Sequence, residues 1–293
     1  MGVDGWQVKA CAIESLPFGS GATPIELLSE SIAKTNTLLN TQGFYGTRSK
    51  HKERSRIGPT SVGGQLSFEM SPAVMVFFWP MILGADASGT TFALAETMQS
   101  FQLQIDRITK VFTYSGMMVN KATLKGSSGG FVNVTLDLIG EDEDVTDAGT
   151  GQSLTVPIDA PFIFEDGVIT IGGTAYDIFD FEWSLDNKLS ARMVNSLTPE
   201  SIRPQDLRDV MFNISTPYGA TEHALYEPGI TSVAASMVFA FGGCSTTITM
   251  PALQAPTQSP VTPGKGEVPL RLNYQAMMTS TTKEVVITHD STP

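Results

Sequence analysis

Residue patterns that carry chemistry are scarce in this sequence. The two cysteines, Cys11 and Cys244, match neither a metal-binding nor a CxxC spacing, so we expect buried thiols, with a single disulfide as the alternative. The three histidines, His51, His223 and His289, are isolated from one another, and we expect them to be exposed. Glycine-rich nucleotide-binding patterns, GxSxG and HExxH are missing. These absences argue against an enzyme and predict no cofactor and no metal site.

Long apolar runs are also missing. The longest, 73–83, is well short of the roughly 20 residues that a membrane-spanning helix needs, and Pro80 interrupts it. The first six residues, MGVDGW, contain no basic stretch followed by an apolar one, so we expect synthesis and folding in the cytoplasm. The sequence therefore predicts no membrane association.

Charge is sparse and one-sided. Charged residues make up 16% of the chain, which is low for a soluble protein, while the hydrophobic fraction of 41% is enough to bury a core. A surface with few charges suits a subunit that hides much of itself in an assembly. The abundant glycine, serine and threonine favour many short antiparallel strands and turns, and we treat residues 1–293 as a single domain.

Most of the negative charge lies in one window. Between Asp137 and Asp186 there are thirteen carboxylates and no lysine or arginine. Apolar and polar residues alternate over 132–138 and 179–186, which predicts two half-buried strands. Asp137, Asp180, Glu182 and Asp186 fall on their polar side, so we expect that side to be acidic and to repel other polyanions. The simpler interpretation is that these carboxylates only keep the protein soluble.

A basic stretch lies in what we predict to be a long polar loop, residues 43–64. Five of the eighteen lysines and arginines occur within nine positions, with only Glu53 opposing them. The five are Arg48, Lys50, Lys52, Arg54 and Arg56. Three interpretations stay open: a solvated loop, a contact with nucleic acid, or docking on an acidic surface of a neighbouring copy.

The apolar run 73–83 predicts the main helix. Ser71 and Pro72 form a typical helix start, and Gly84 is a typical end. Because the run is apolar on all sides, the helix should be buried against a sheet or another subunit, with Pro80 as a potential kink. Its aromatic cluster, Phe77, Phe78 and Trp79, is expected in the core or at an interface.

Turn signals divide the rest of the chain into hairpins. Residues 126–130 (GSSGG) predict a turn, and Asp166-Gly167 and Gly172-Gly173 predict two-residue hairpin turns in which glycine supplies a positive φ. Residues 141–147 are acidic enough to suggest weak calcium binding but lack the pattern of an EF-hand loop, so we interpret them as a solvated loop.

The order of these features resembles the tail tube proteins of long-tailed bacteriophages. The resemblance covers nearly the whole chain and depends on the order and spacing of its motifs. They are the arginine-rich loop 45–56, GGQLSFE (63–69), SP (71–72), LG (83–84), YSG (114–116), GE (140–141), FED (164–166) leading to Tyr176, SLDNKL (184–189), RDV (208–210) and PLRLNY (269–274). Residues 217–250 fit less cleanly, and we interpret them as an insertion on the outside of the tube.

The resemblance implies a mainly β fold, an antiparallel sandwich or barrel flanked by one helix, similar to the tube subunit of type VI secretion systems. It implies hexameric rings that stack into a hollow tube in the virion tail, through which DNA passes during ejection. Asp137, Asp180, Glu182 and Asp186 would then line the bore, and the basic loop would contact neighbouring rings or subunits. Implied partners are other copies of the chain, the tape-measure protein and the terminator and baseplate proteins, with assembly in the host cytoplasm.

Two alternative functions remain at this point. One is another tail component, such as a sheath, terminator or baseplate ring. The other is a β-sandwich module that binds carbohydrate, which the glycine- and threonine-rich strands and two aromatic residues, Tyr45 and Tyr218, suggest.

Overall fold

The computed structural model describes residues 4–15, 21–43, 46–84, 89–155, 159–226, 232–256, 259–262 and 264–292. Most of them form antiparallel strands, which confirms the predicted fold class. The strands are β1 (Lys9–Ile13), β2 (Thr23–Ile25), β3 (Leu27–Glu30), β4 (Ala33–Asn40), β5 (Ser55–Glu69), β6 (Thr91–Ala93), β7 (Phe101–Asp106), β8 (Lys110–Ser127), β9 (Asn133–Gly140), β10 (Asp142–Asp147), β11 (Gly167–Ile171), β12 (Thr174–Ala175), β13 (Asp180–Asp186), β14 (Leu189–Arg192), β15 (Ser201–Pro204), β16 (Asp209–Pro217), β17 (Val233–Phe241), β18 (Cys244–Gln254), β19 (Pro269–Ala276) and β20 (Val286–Asp290). The helices are α1 (Pro72–Leu83) and the single-turn α2 (His223–Tyr226).

Most of the strands form two facing layers. The first, which we call the central sheet, runs in the order β5–β9–β8–β13–β16–β19, with β3 and β4 on the far side of β5. The second runs β12–β11–β17–β18–β20–β6. Their inward faces meet through aromatic contacts such as that between Phe181 and Phe239, whose ring centroids lie 5.6 Å apart. The predicted sandwich is therefore present.

Helix α1 covers the rest of the inward face of the central sheet. It begins and ends as the sequence predicts, with Ser71 before it and Gly84 after it in the left-handed conformation at φ 71°. Phe78 stacks on Phe68 of β5 at 5.2 Å, and Trp79 meets Trp183 of β13 edge to face at 6.3 Å. Fully burying side chains of this size stabilises the fold by roughly 1.5–3 kcal/mol each. The helix is thus a core element of the subunit.

Strand β8 belongs to two sheets, which the sequence does not predict. Its first half pairs with β7 and β10, and its second half pairs with β9 and β13. The change occurs at Gly116, whose φ of 61° is in the left-handed region. A Cβ at this position would also lie 2.6 Å from the side chain of Glu141. Gly116 therefore bends one continuous strand and does not end it.

Three further expectations need correction. Residues 55–64 belong to β5, so the predicted loop 43–64 ends at Arg54, and Arg56 is a strand residue. The acidic block is strand β10, paired with β8, and not a solvated loop. Gly167 has φ −90° after a short 3-10 turn, Phe164–Asp166, so the two-residue turn predicted there is absent, whereas Gly172 and Gly173 do have positive φ.

Most of residues 217–250, which we interpreted as a surface insertion, are strands of the sandwich, and their position on the outside of the tube stays a prediction. Strands β17 and β18 form the middle of the second layer, with Met237, Phe239, Ile248 and Met250 buried in the core. Among the described residues before them, 217–226, most lie at the surface, including part of the single-turn helix α2. In β18 polar residues alternate with buried ones, a pattern that is typical of a strand with one face in the core.

Candidate functional site

A two-stranded hairpin projects from the subunit. We call it the arm and define it as the described part of residues 33–60: strand β4, the first part of β5 and the connecting residues. Strand β4 pairs with β5 alone, and in the described part of the chain residues 55–61 of β5 pair only with β4. From Ser61 to Ser55 the arm extends by about 20 Å at the usual strand rise. Near its root Thr60 is buried and donates from its amide and its hydroxyl to the Leu197 carbonyl, whereas the outer part of the arm is largely exposed.

The root of the arm is firmly attached. Lys34 Nζ lies 2.6 Å from Asp142 Oδ1, and the hydrogen bond from Lys34 lowers the pKa of Asp142. Just before the arm, Arg107 binds both carboxylate oxygens of Glu30 at 3.0 Å and donates to the Ile32 carbonyl at 2.8 Å. These half-buried contacts fix the direction in which the arm leaves the body.

Exposed apolar and basic side chains are combined on the arm. Leu38 and Ile57 are register partners and remain 63% and 59% exposed, and Leu39 is 54% exposed. All five predicted basic residues are exposed, and within the described residues none of them forms an ion pair. An isolated two-stranded hairpin is marginally stable in water, so this arrangement favours docking on a partner.

The second candidate surface is the outward side of the central sheet, which we call the polar face. Asp137 of β9 and Asp180, Glu182 and Asp186 of β13 all lie on it, as the alternation predicts. Val134, Leu136 and Trp183 point to the opposite, buried side. The strand prediction is confirmed in both places.

The polar face is less acidic than the sequence window predicts. Strand β8 lies between the two acidic strands and places Lys121 opposite both Asp137 and Asp186. Its Lys125 is paired with Glu182, with Nζ and Oε2 2.8 Å apart. A window without lysines in sequence is therefore flanked by lysines in space. In the sequence, Lys121 and Lys125 fall on the side of β8 opposite the buried Ala122 and Leu124, which is the pattern that could have placed both lysines on this face.

A second cluster lies at one end of this face. Lys188 Nζ is 2.8 Å from Asp186 Oδ2 and 3.2 Å from Asp209 Oδ2. Partial burial acts to raise the pKa of Asp186, but the hydrogen bonds from Lys188 and the charge of Lys121 outweigh it, so the pKa lies below its ordinary value. Lys188 was not predicted as a site residue, because it follows the strand and reaches back across the face.

The balance of charge on the polar face can be counted from the strand register. Six carboxylates share it with four cations, which gives a formal net charge of −2. The carboxylates are Glu69, Asp137, Asp180, Glu182, Asp186 and Asp209, and the cations are Lys121, Lys125, Lys188 and Arg271. The rest of the face is largely serine, threonine, asparagine and glutamine. It is thus a broad, hydrophilic, weakly negative surface.

The aromatic cluster of α1 divides between core and near-surface positions. Phe78 and Trp79 are completely buried, while Phe77 is partly buried and packs edge to face on Phe78 and Phe101. Only Val76 of this helix is markedly exposed. The core interpretation holds for Phe78 and Trp79, and contact with another subunit stays a prediction for Phe77.

The remaining candidates do not form a chemical site. Cys11 and Cys244 are buried free thiols, as expected. His51 and His223 are exposed, but His289 is buried, contrary to expectation. In the described ranges no cluster of side chains could hold a metal ion, and no helix there is long and apolar enough to cross a membrane. Tyr45 lies outside the described residues.

Tyr218, the other aromatic residue behind the carbohydrate alternative, is only partly exposed. Its hydroxyl lies 2.9 Å from Nδ1 of His223, and the two rings meet edge to face. Tyr218 thus contacts His223 of its own subunit in the turn before β17. No observation on this side of the molecule favours a binding module.

The geometry defines a class of protein: an antiparallel β sandwich with one core helix, a projecting arm and a broad polar sheet face. Residues 41–276 match a family model described as phage tail tube protein, and the chain belongs to that family. It is therefore a structural protein of the virion tail that assembles with copies of itself into the tail tube, and it is not an enzyme. A search of curated proteins finds no match.

Proposed function

We propose that six copies of the chain close into a ring, that the rings stack into a hollow tube, and that the polar face lines the bore through which DNA enters the host. The observation that supports this proposal most is the polar face itself. A sheet side that spans six strands without a large apolar patch suits permanent contact with water and passing DNA.

The charge arrangement on the polar face suggests how DNA passes without adhering. Lysine residues bind DNA by displacing counterions from phosphates, and each such contact adds affinity. Lys125 and Lys188 are instead engaged by carboxylates of their own subunit, and Lys121 lies between two. A phosphate would have to displace a carboxylate that is already in place. The small negative excess adds a weak repulsion, since bore charges act over about 8 Å at physiological salt.

Substitutions on the polar face test this mechanism. Replacing Asp137 and Glu182 with lysine changes its formal charge from −2 to +2 per subunit and releases Lys125. We expect tubes to form but DNA delivery, measured by potassium efflux and plaque counts, to fall at least about tenfold, since several unpaired cations per ring would hold phosphates. A matched variant, Glu26→Lys with Asp144→Lys, adds the same charge on exposed residues away from this face and should deliver DNA normally.

Electron microscopy of the purified protein tests the architecture. We expect rings of six subunits and tubes made of stacked rings. Monomers under all conditions, or rings that never stack, would contradict it. The tape-measure, terminator and baseplate proteins are the further partners that we propose at the lumen and at the two tube ends.

We also propose that the arm forms contacts between rings or between subunits of one ring, through Arg48, Lys50, Lys52, Arg54 and Arg56. Their exposure and lack of partners support this assignment. Exposed ion pairs contribute only about 0–1 kcal/mol each, so the charges select the correct docking position more than they hold the tube together. DNA binding by the isolated subunit at physiological salt would instead favour a nucleic-acid role for these residues.

A further inference from the structure

One open cavity lies at the end of the sandwich between its two layers, and we call it the socket. It encloses about 290 Å³ and is lined mainly by Phe164, Tyr176, Ile178, Phe181 and Phe239. Ligand pockets for drug-sized molecules begin near 300 Å³ and enclose their ligand, whereas the socket is small and open on one side. Its size and apolar lining suit a few protein side chains better than a small-molecule ligand.

The rim of the socket is acidic. Glu165 and Asp177 belong to its wall, and Asp166 adjoins it in sequence. Glu165 accepts hydrogen bonds from the turn at Ser128 and Gly129, and Asp166 accepts one from the backbone of Ile163. Within the described residues, none of these three carboxylates has a lysine or arginine partner. The socket thus combines apolar walls with unpaired negative charge, and the arm combines apolar side chains with unpaired positive charge.

The arm and the socket lie at opposite ends of the central sheet. The arm leaves the sheet where Val62 of β5 is opposite Gly140 of β9. The socket lies at the other end, because Phe181 is opposite Gly126 of β8 and a Cβ at Gly126 would meet both Phe181 and Phe164. Along β9 the two ends are about 23 Å apart at the usual strand rise. One subunit therefore cannot place its own arm, which points away from the body, in its own socket.

We propose that the arm of one copy docks in the socket of the next, with Leu38 and Ile57 against the aromatic wall and the basic residues against the acidic rim. This assignment rests on the proposed tube and names the surface that receives the arm. Complementary patches at opposite ends of a subunit form a head-to-tail contact, which repeats along an axis instead of closing after two copies. The contact consequently gives the tube a direction and joins successive rings.

Filling the socket tests the proposal with a close control. Ala175 lines the socket on strand β12 and is exposed, so Ala175→Trp should block entry without disturbing the core. Thr174 is the exposed residue before it and does not line the cavity, so Thr174→Trp adds the same bulk outside. We expect Ala175→Trp to raise the critical concentration for tube formation about tenfold or more, the usual effect of losing a buried anchor, and Thr174→Trp to leave it unchanged. Thermal unfolding of both monomers should match that of the unmodified protein.

A charge exchange supplies a second, independent measurement. Asp177→Lys should weaken stacking, and adding Lys52→Glu should restore it, because the pair of opposite charges is then rebuilt in reverse. Asp144→Lys, an exposed carboxylate on β10 away from the socket, is the matched control and should have no effect. If Asp144→Lys weakened stacking as much as Asp177→Lys and Lys52→Glu reversed both losses, the effect would be one of general charge and the proposal would be overturned.

Cysteine cross-linking locates the contact directly. The native cysteines are buried, so oxidation of Ile57→Cys with Ala175→Cys should produce a ladder of linked subunits in tubes, and Ile57→Cys with Thr174→Cys should produce little. If the unmodified protein forms tubes but Ala175→Trp assembles equally well and no ladder appears, the socket assignment is wrong while the tube function stands. If the unmodified protein forms no tubes at all, the proposed function itself fails.

Discussion

His289 illustrates how a single residue can be misplaced by sequence reasoning. The short segment around it looks like a polar chain end, yet β20 lies between β18 and β6, and the imidazole is completely enclosed. Nδ1 lies 2.8 Å from the hydroxyl of Thr246, and Nε2 lies 3.0 Å from the carbonyl of Pro72 at the start of α1. With Nε2 donating and Nδ1 accepting, the neutral ring satisfies both partners. His289 therefore joins the last strand to the core helix.

This environment makes the stability of the fold depend on pH. Burial lowers the pKa of His289, so the unfolded chain binds a proton more readily than the folded one. The contribution of the neutral ring is complete above the unfolded pKa of about 6.5 and is lost as the pH falls below it, by at most about 1.4 kcal/mol per unit. Urea unfolding at about pH 7.5 and 5.5 measures this loss.

The variant His289→Gln isolates the contribution of this residue. It should be about 1–3 kcal/mol less stable at the higher pH, because the two hydrogen bonds are no longer both well made. It should also lose less stability than the unmodified protein between the two pH values, since glutamine does not titrate. The same pH dependence in both proteins would mean that another group is responsible.

Among the secondary-structure elements, those defined by local signals could be predicted and those defined by neighbours could not. Helix α1 is predicted to its end residues because Ser71-Pro72, an unbroken apolar run and Gly84 are all contiguous. Strands β9 and β13 could be predicted because the alternation of apolar and polar residues is visible within the sequence of each strand alone. The lysines beside them come from β8, whose place between β9 and β13 is set by strand pairing, so the net charge of the polar face can be counted only from the register. The bend of β8 at Gly116 could not be predicted either, because it depends on which strands pair with the two halves of β8.

The arm is the element whose stability depends most on the assembly. Apart from Thr60 near its root, whose amide donates to the Leu197 carbonyl, the described strands of the arm are hydrogen-bonded to each other, and such elements open locally at low cost. In the free subunit we expect trypsin to cut between Lys50 and Arg56 roughly tenfold faster than elsewhere, because arginine and lysine side chains are exposed there on a loosely held backbone. In assembled tubes the same bonds should be protected. Mass spectrometry of short digests, with equal subunit concentrations in both states, gives the comparison.

A docked arm and a solvated arm give different digestion results. Equal cleavage rates in subunits and tubes would mean that the arm stays in solvent after assembly. Protection of the arm together with the socket strand β12 in hydrogen exchange would agree with the head-to-tail contact. Protection of the arm alone would point to a different receiving surface on the neighbouring copy.

The whole molecule carries a formal charge of −12, so copies repel one another unless cations are concentrated where they meet. Five of the eighteen lysines and arginines lie within nine consecutive positions of the arm, 48–56, and all five are exposed. Several lysines elsewhere are already engaged by carboxylates of their own subunit, as Lys34 is by Asp142 and Lys110 is by Asp147. The arm is thus the main positive surface available to a neighbour. Assembly should depend on salt in two opposing ways, because salt screens both the general repulsion and the local attraction.

Removing the arm charges separates these two effects. The variant with serine at 48, 50, 52, 54 and 56 keeps the apolar side chains Leu38 and Ile57 but loses the local attraction. At about 0.05 M salt, where screening is weak, we expect its tubes to be clearly shorter than those of the unmodified protein by electron microscopy. At about 0.5 M salt the difference should nearly vanish, since the screening length falls below typical distances between charged groups. Tubes of equal length at low salt would show that the five residues are solvated in the assembly, and the apolar pair alone would then have to hold the arm.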